Sequence, residues 1–173
     1  HEVAGEVVEV GSGITTVKIG DRVATLQRQP CGICYYCRRG EDASCRNNRF
    51  FGHKGHTGGY AEYMVAPAAN LLKFDRSVPF EKAAIIPDAV ACMYHAIKNQ
   101  GQVRASDKIC ILGVGGLGFQ GMQIARHFGA EVYCTSRKDE KLEIAKRFLV
   151  PKQTRENGLS QDNLVITEAA LRR

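Results

Sequence analysis

The sequence predicts a mixed fold in two parts. A small β-barrel or sandwich, interrupted by a metal-stapled lobe, precedes the start of an alternating β/α region. Three observations carry this. Short, β-branched segments joined by Gly-rich turns fill the N-terminal part. Four thiols then crowd into residues 31–45, and a G-x-G-x-x-G run at 113–118 stands between an apolar segment and a helical pattern.

The first part opens with Val3–Val10, rich in β-branched residues and flanked by the turn Gly11-Ser12-Gly13. A second short strand is expected at Thr15–Ile19. Gly20-Asp21 then turns the chain into a third at Arg22–Thr25.

Residues 31–45 follow, at the spacing C-x2-C-x2-C-x7-C: Cys31, Cys34, Cys37 and Cys45. Three thiols at x2 spacing turn their sulfurs to one point, and the longer loop returns the fourth. Four thiolates in a closed tetrahedral set suit zinc, in a site that supports structure and does no chemistry. An iron–sulfur cluster of the bacterial pattern needs x3 and a following Pro. Here the loop is x7 and Arg46 follows. The lobe has little apolar content of its own, so a metal is what would give it a shape.

His53 and His56 lie in a Gly-rich loop beside an already complete four-Cys set and read as surface histidines. Strands are expected at Tyr60–Ala66 and Leu71–Phe74, and a helix from Phe80 to Ile86. Pro87 should break that helix, lacking an N–H and clashing with the preceding turn. Asp88 is then placed to cap a new helix reaching about Lys98.

In the second part, Lys108–Leu112 is a short apolar run, as expected of a parallel strand covered on both faces. Gly113, Gly115, Gly116 and Gly118 follow at once. A helix runs on to Phe128 with Leu117, Ile124, Ala125 and Phe128 on one stripe. Gly129 stands where a left-handed residue ends a helix. A strand to Ser136 and a helix from Asp139 to about Leu149 complete a β-α-β-α order. In that context the glycines let the backbone close on a pyrophosphate at the helix N-terminus, where free N–H groups favour anions.

Composition bounds the function classes. The chain has 173 residues, 44% of them hydrophobic, and a net charge of +6 with no basic run longer than Arg38-Arg39 or Arg172-Arg173. That argues against a nucleic-acid surface. No apolar run of about 18 residues exists, so no membrane span is expected. The start His1-Glu2-Val3 is unlike a signal peptide. Cys92, Cys110 and Cys134 sit in apolar, helix- or strand-like surroundings. Reduced thiols and a cytoplasmic setting are therefore expected.

Taken together, these motifs resemble a zinc-dependent medium-chain dehydrogenase of the alcohol dehydrogenase superfamily, from His1 to about Lys146. His1-Glu2-Val3-Ala4-Gly5-Glu6-Val7 with Gly20-Asp21-Arg22-Val23 is similar to the family's G-H-E block. The four-Cys lobe matches its structural zinc lobe, Gly58-Gly59-Tyr60-Ala61-Glu62-Tyr63 its returning strand, and Gly113 to Gly118 its cofactor loop. The resemblance implies a partial GroES-like catalytic domain at 1–103 with the zinc lobe at 31–45. It implies the start of a Rossmann NAD(P)-binding domain at 104–149 and leaves a divergent tail at 150–173.

The implied activity is hydride transfer between a nicotinamide and a small-molecule alcohol or carbonyl. A second zinc would act as Lewis acid. On this likeness His1, with Glu2 as an alternative in some members, and Asp88 fall on catalytic-zinc positions. As helix cap, Asp88 has an equally good structural role, and no residue is assigned a catalytic step. The zinc-free quinone reductases are disfavoured by the lobe.

An NAD site usually carries a carboxylate about 20 residues after the first glycine. Here stand Ser136, Arg137 and Lys138, with Lys141 matching a family lysine near the ribose. NADP(H) is expected over NAD(H), since a 2′-phosphate would meet Arg137 rather than an acid. The resemblance is compatible with a homo-oligomer for the full-length family, and the sequence does not reveal the oligomeric state.

Two departures set further expectations. The family's first catalytic Cys lies upstream of the G-H-E block, and after Lys146 the sequence loses family character. The tail is expected to be foreign, misframed or truncated sequence that packs poorly, and the polypeptide to be inactive alone. A competing class is a zinc-stabilised binding module without catalysis, using Tyr35, Tyr36, Arg38 and Arg39 around the metal. It leaves the glycine run unexplained.

Overall fold

The computed structural model describes residues 1–53 and 55–136. The chain divides into two compact units, His1–Asp88 and Ala89–Arg173. The expected helix beyond Asp139, the tail, Arg137 and Lys141 lie outside the described residues.

In the first unit, β1 (Ala4–Glu6) pairs antiparallel with β2 (Arg22–Thr25), Gly5 opposite Val23. The loop between them is anchored by Val7 N–H to the Asp21 carbonyl and Gly20 N–H to the Val7 carbonyl, both at 2.9 Å. The strand expected at Thr15–Ile19 does not form. That segment contributes Val17 to a small core with Val7 and Val23, and no strand among the described residues offers it a ladder partner.

After β2, the two-residue strand β3 (Arg28–Gln29) leads into the lobe, which carries one helical turn, α1 (Tyr35–Arg38). The chain leaves through β4 (Arg49–Phe50), paired antiparallel with β3. Arg28 reinforces this neck: its Nη1 donates to the Ala43 carbonyl at 2.8 Å, and its guanidinium lies over the Phe50 ring.

Tyr60–Ala66 also forms no strand. Tyr60, Tyr63 and Val65 are exposed there, without a paired strand among the described residues. Then β5 (Leu71–Lys73) completes a three-stranded sheet in the order β1-β2-β5, all antiparallel. Asn70 locks the sheet's edge. Buried, it donates through Nδ2 to the carbonyls of Leu26 and Arg28, while its own carbonyl accepts from Leu26 N–H.

The helical region departs most from expectation. After α2 (Phe80–Ile85) the chain does not break at Pro87; it widens into a π-helical segment, Ile86–Val90. A π-turn is how a helix accommodates a residue with no N–H and a ring that would strike the preceding turn. Asp88 therefore sits inside this segment and is no N-cap. The helix continues as α3 (Ala91–Tyr94) and a second π-helical segment, His95–Gln100.

The second unit is centred on β6 (Lys108–Leu112), α4 (Gly116–His127) and β7 (Glu131–Thr135), with β6 and β7 parallel and Ile111 opposite Cys134. Ile97, Val114, Met122, Ala125, Ala130, Val132 and Cys134 form its buried core. Only one face of β6 is covered among the described residues: Cys110 is exposed and Leu112 is 82% exposed. Of the expected stripe, Ala125 is in the core and Ile124 and Phe128 pack against it, but Leu117 does not. Gly118, Gly121, Met122 and Ala125 are buried, whereas Leu117 is half exposed. At its N-terminal end the buried face is carried by glycines instead of Leu117. The glycines win because they let the helix come close to Ile111 and Met93. Gly129, at φ +80°, ends the helix in the left-handed conformation expected of it.

Candidate functional site

The lobe is built by tight turns. Gly32 and Gly40 take left-handed conformations at φ +74° and +73°, which only glycine adopts readily. Cys34 stands at the N-terminus of α1, and its carbonyl accepts from Arg38 N–H at 3.0 Å. Gly40 N–H returns to the Cys37 carbonyl at 3.0 Å, and a 3-10 turn at Asp42–Ser44 brings Cys45 home.

The result is one cluster: the sulfurs of Cys31, Cys34, Cys37 and Cys45 all lie within 4.8 Å of one another. Cys34 Sγ is 3.5 Å from Cys37 Sγ and 3.9 Å from Cys45 Sγ. Four sulfurs at about 2.3 Å from a tetrahedral zinc are separated by about 3.8 Å. The donor set and the spacing therefore fit zinc.

Protonation follows the surroundings. Backbone N–H groups of Ile33 and Cys34 pull the Cys31 thiol down to about 6. The Cys37 backbone N–H lowers Cys34. Burial, then the neighbouring sulfur of Cys34, pushes Cys37 up to about 12. A divalent cation bound by all four sulfurs would displace the protons they carry.

His53 and His56 are exposed. Among the described residues, the four cysteines are the group of three or more ligand-bearing side chains close enough to share a metal.

A second, smaller constellation gathers at Asp88. His1 Nε2 lies 2.7 Å from Asp88 Oδ2, and Gln27 Nε2 donates to Asp88 Oδ1 at 3.0 Å. Of the three residues singled out from the sequence, the structure brings His1 and Asp88 together. Glu2 is exposed and does not complete a three-residue group with them. Sequence reasoning did not find Gln27, which carries no motif.

In the second unit, β6 runs directly into the glycine loop. Gly113 has φ +96°, and a side chain at Gly118 would overlap the Gly113 carbonyl oxygen, so both glycines are required by the turn itself. Gly115 and Gly116 differ. Both are exposed, neither needs a left-handed φ, and a Cβ at either would meet nothing within 4 Å. The protein gives no packing reason for their missing side chains; a ligand drawn against the backbone at the start of α4 would supply one. Leu117 is exposed beside them, and Ser136 is half-buried just beyond β7. Among the described residues, no helix is long and apolar enough to cross a membrane.

Residues 1–76 match the alcohol dehydrogenase GroES-like domain family. Over 148 residues the chain is 38% identical to an alcohol dehydrogenase of Geobacillus stearothermophilus, covering 85% of this chain and 43% of that protein. It is 37% identical to the L-threonine 3-dehydrogenase of Pyrococcus horikoshii, over 85% of this chain and 41% of that one. Among solved structures, a zinc-binding dehydrogenase from Sinorhizobium meliloti, bound to NADP, superposes with a TM-score of 0.77 at 32% identity. It covers 84% of this chain and 42% of that chain. The chain spans less than half the length of each of these relatives.

Proposed function

We propose that this chain, whose residues 1–76 match the alcohol dehydrogenase GroES-like domain and which is 38% identical to an alcohol dehydrogenase over 148 residues, belongs to the alcohol dehydrogenase superfamily and is part of a zinc-dependent oxidoreductase. The enzyme passes a hydride between a nicotinamide cofactor and an alcohol or carbonyl. The observation that carries the cofactor half of this reading is the loop Gly113–Gly118. Its outer glycines serve the turn, while Gly115 and Gly116 leave the backbone bare at the helix start. In this reading residues 1–103 are the partial catalytic domain, and residues 104–149 begin a Rossmann domain.

The division of labour follows from the donor sets. Cys31, Cys34, Cys37 and Cys45 hold a zinc with no open position, which fixes the lobe. In the whole enzyme His1 and Asp88 would be two of the ligands of a second zinc, which this chain alone does not complete, with Glu2 outside the pair that converges. Bound there, zinc supplies Lewis acidity at the substrate oxygen. The backbone N–H groups at the start of α4 bind and orient the cofactor's pyrophosphate. NADP(H) is the preferred cofactor, with Ser136 and, from the sequence alone, Arg137 and Lys141 receiving the 2′-phosphate.

Calorimetric titration of the purified chain with NADPH, NADH and a single-stranded oligonucleotide tests the reading. NADPH is expected to bind more tightly than NADH, and the oligonucleotide not to bind. Binding of the oligonucleotide without either nucleotide would make the chain a zinc-stabilised binding module.

A further inference from the structure

Cys34 and Cys37 differ from the other two thiols of the lobe. Cys34 stands just before the helical turn Tyr35–Arg38, and Cys37 lies inside it. Residues three apart on a helical turn face the same way, so local geometry alone brings the two side chains together. Their sulfurs are 3.5 Å apart. Cys34 Sγ is also 3.9 Å from Cys45 Sγ, but eleven residues separate that pair, and Cys45 is buried. The Cys45 sulfur is further held by Cys31 N–H at 3.4 Å. Cys34 and Cys37 are half-buried, and Ile33 and Tyr35 beside them are exposed. Solvent therefore reaches this pair more readily than it reaches Cys45.

Within residues 31–45, Cys45 is the one buried residue, so the lobe has no core to fall back on. A closed zinc site takes four protein ligands. A bond between Cys34 and Cys37 would withdraw two of them and leave Cys31 and Cys45, too few to hold the metal or the shape.

We propose that the lobe is a peroxide-sensitive switch, in which Cys34 and Cys37 close into a disulfide and the lobe gives up its zinc. This rests on the reading of the four cysteines as a zinc site. One sulfur of the pair attacks a peroxide oxygen; the O–O bond breaks and hydroxide leaves, giving a sulfenic acid. The partner sulfur then attacks the oxidised sulfur, the S–O bond breaks, and a second hydroxide leaves. Each sulfur loses one electron, and the peroxide, with two protons from solvent, ends as two waters. The new bond closes only the short ring from Cys34 to Cys37 and leaves the loop to Cys45 untethered. A dithiol reverses it by exchange and restores the four-sulfur set.

The test exposes the full, zinc-loaded chain to hydrogen peroxide. Released zinc is measured with a metal-sensitive dye. Thiols are labelled before and after reduction, with different alkylating reagents, and located by mass spectrometry. In the wild type, Cys34 and Cys37 are expected to take the second label and Cys31 and Cys45 the first. One zinc should be lost for each disulfide formed, and a dithiol should let it rebind. Cys37→His keeps a ligand for zinc but has no sulfur to close the bond. It should retain most of its zinc at the dose that empties the wild type; if it fails to load, the wild-type labelling decides. Cys92→Ser with Cys110→Ser, which removes the exposed thiols outside the lobe, should release zinc as wild type does. A disulfide joining other members of the cluster, zinc kept by the wild type, or wild-type release by Cys37→His would overturn the switch and leave the zinc site standing. A chain that binds no zinc would overturn the zinc reading and the switch with it.

Discussion

The four-Cys lobe and the β6–α4–β7 unit are held together by different forces. Within residues 31–45 only Cys45 is buried; Ile33 is 73% exposed and Tyr35 67%. In β6–α4–β7, Ala125 and Val132 are fully buried and Cys134 is 1% exposed. Burying one large apolar side chain contributes about 1.5–3 kcal/mol, and the second unit gathers several. The lobe has almost none of that. A structural zinc in small peptides is worth about 10–16 kcal/mol at neutral pH, enough to shape a segment without a core. One region is therefore specified by what its residues bind and the other by what they hide.

The widest separation between the two should come from Cys37→Ser. Metal analysis is expected to show zinc falling from one per chain to far less, while the circular dichroism of the β-α-β unit persists. If the whole chain unfolds together, the lobe is not energetically separate.

The glycine loop sharpens the comparison from the other side. Gly118→Ala drives a methyl group into the Gly113 carbonyl oxygen and should destabilise the second unit by about 1–3 kcal/mol in denaturant unfolding. Gly116→Ala meets open space. Stability should be unchanged or slightly improved, while, on the proposed reading of this loop as a pyrophosphate site, NADPH binding weakens by about tenfold. Unaltered NADPH binding in Gly116→Ala would show that this loop is only a tight turn.

The smallest effect concerns acid. The Lys73 ammonium, 2.9 Å away, and the Lys18 backbone N–H hold the Asp21 carboxyl below its ordinary value. A carboxyl depressed in the folded state stabilises the fold above its unfolded pKa of about 3.9, and that contribution is lost as pH falls through the folded value. Asp21→Asn should therefore flatten the acid limb of the stability profile of β1-β2-β5 and leave the lobe's zinc content unchanged. An unaltered acid limb in urea unfolding at several pH values would count against the pair.

How much of this was legible in the sequence depended on whether a feature is local. Arg22–Thr25 and Lys108–Leu112 appear with the expected bounds, and the four thiols converge as their spacing requires. Each is decided within a few residues. Thr15–Ile19 and Tyr60–Ala66 have strand-like composition, yet a strand exists only with a partner, and composition does not supply one. Pro87 was read as a break because proline forbids the α-helical bond; the π-turn satisfies the same prohibition without ending the helix. Leu117 shares a helical stripe with Ile124, Ala125 and Phe128 yet stays half exposed, because Gly118 and Gly121 govern which face comes close. Gln27 was invisible. Its hydrogen bond to Asp88 depends on the register of β2 and on the widened turn that carries Asp88, both products of tertiary structure.

The account turns on the lobe being shaped by metal and the β-α-β unit by burial. Amide hydrogen exchange before and after removal of zinc with a chelator tests this most directly. The account predicts that residues 31–45 lose their protection on chelation while residues 108–135 keep theirs. Equal loss in both regions, or a lobe as protected without zinc as with it, would contradict it.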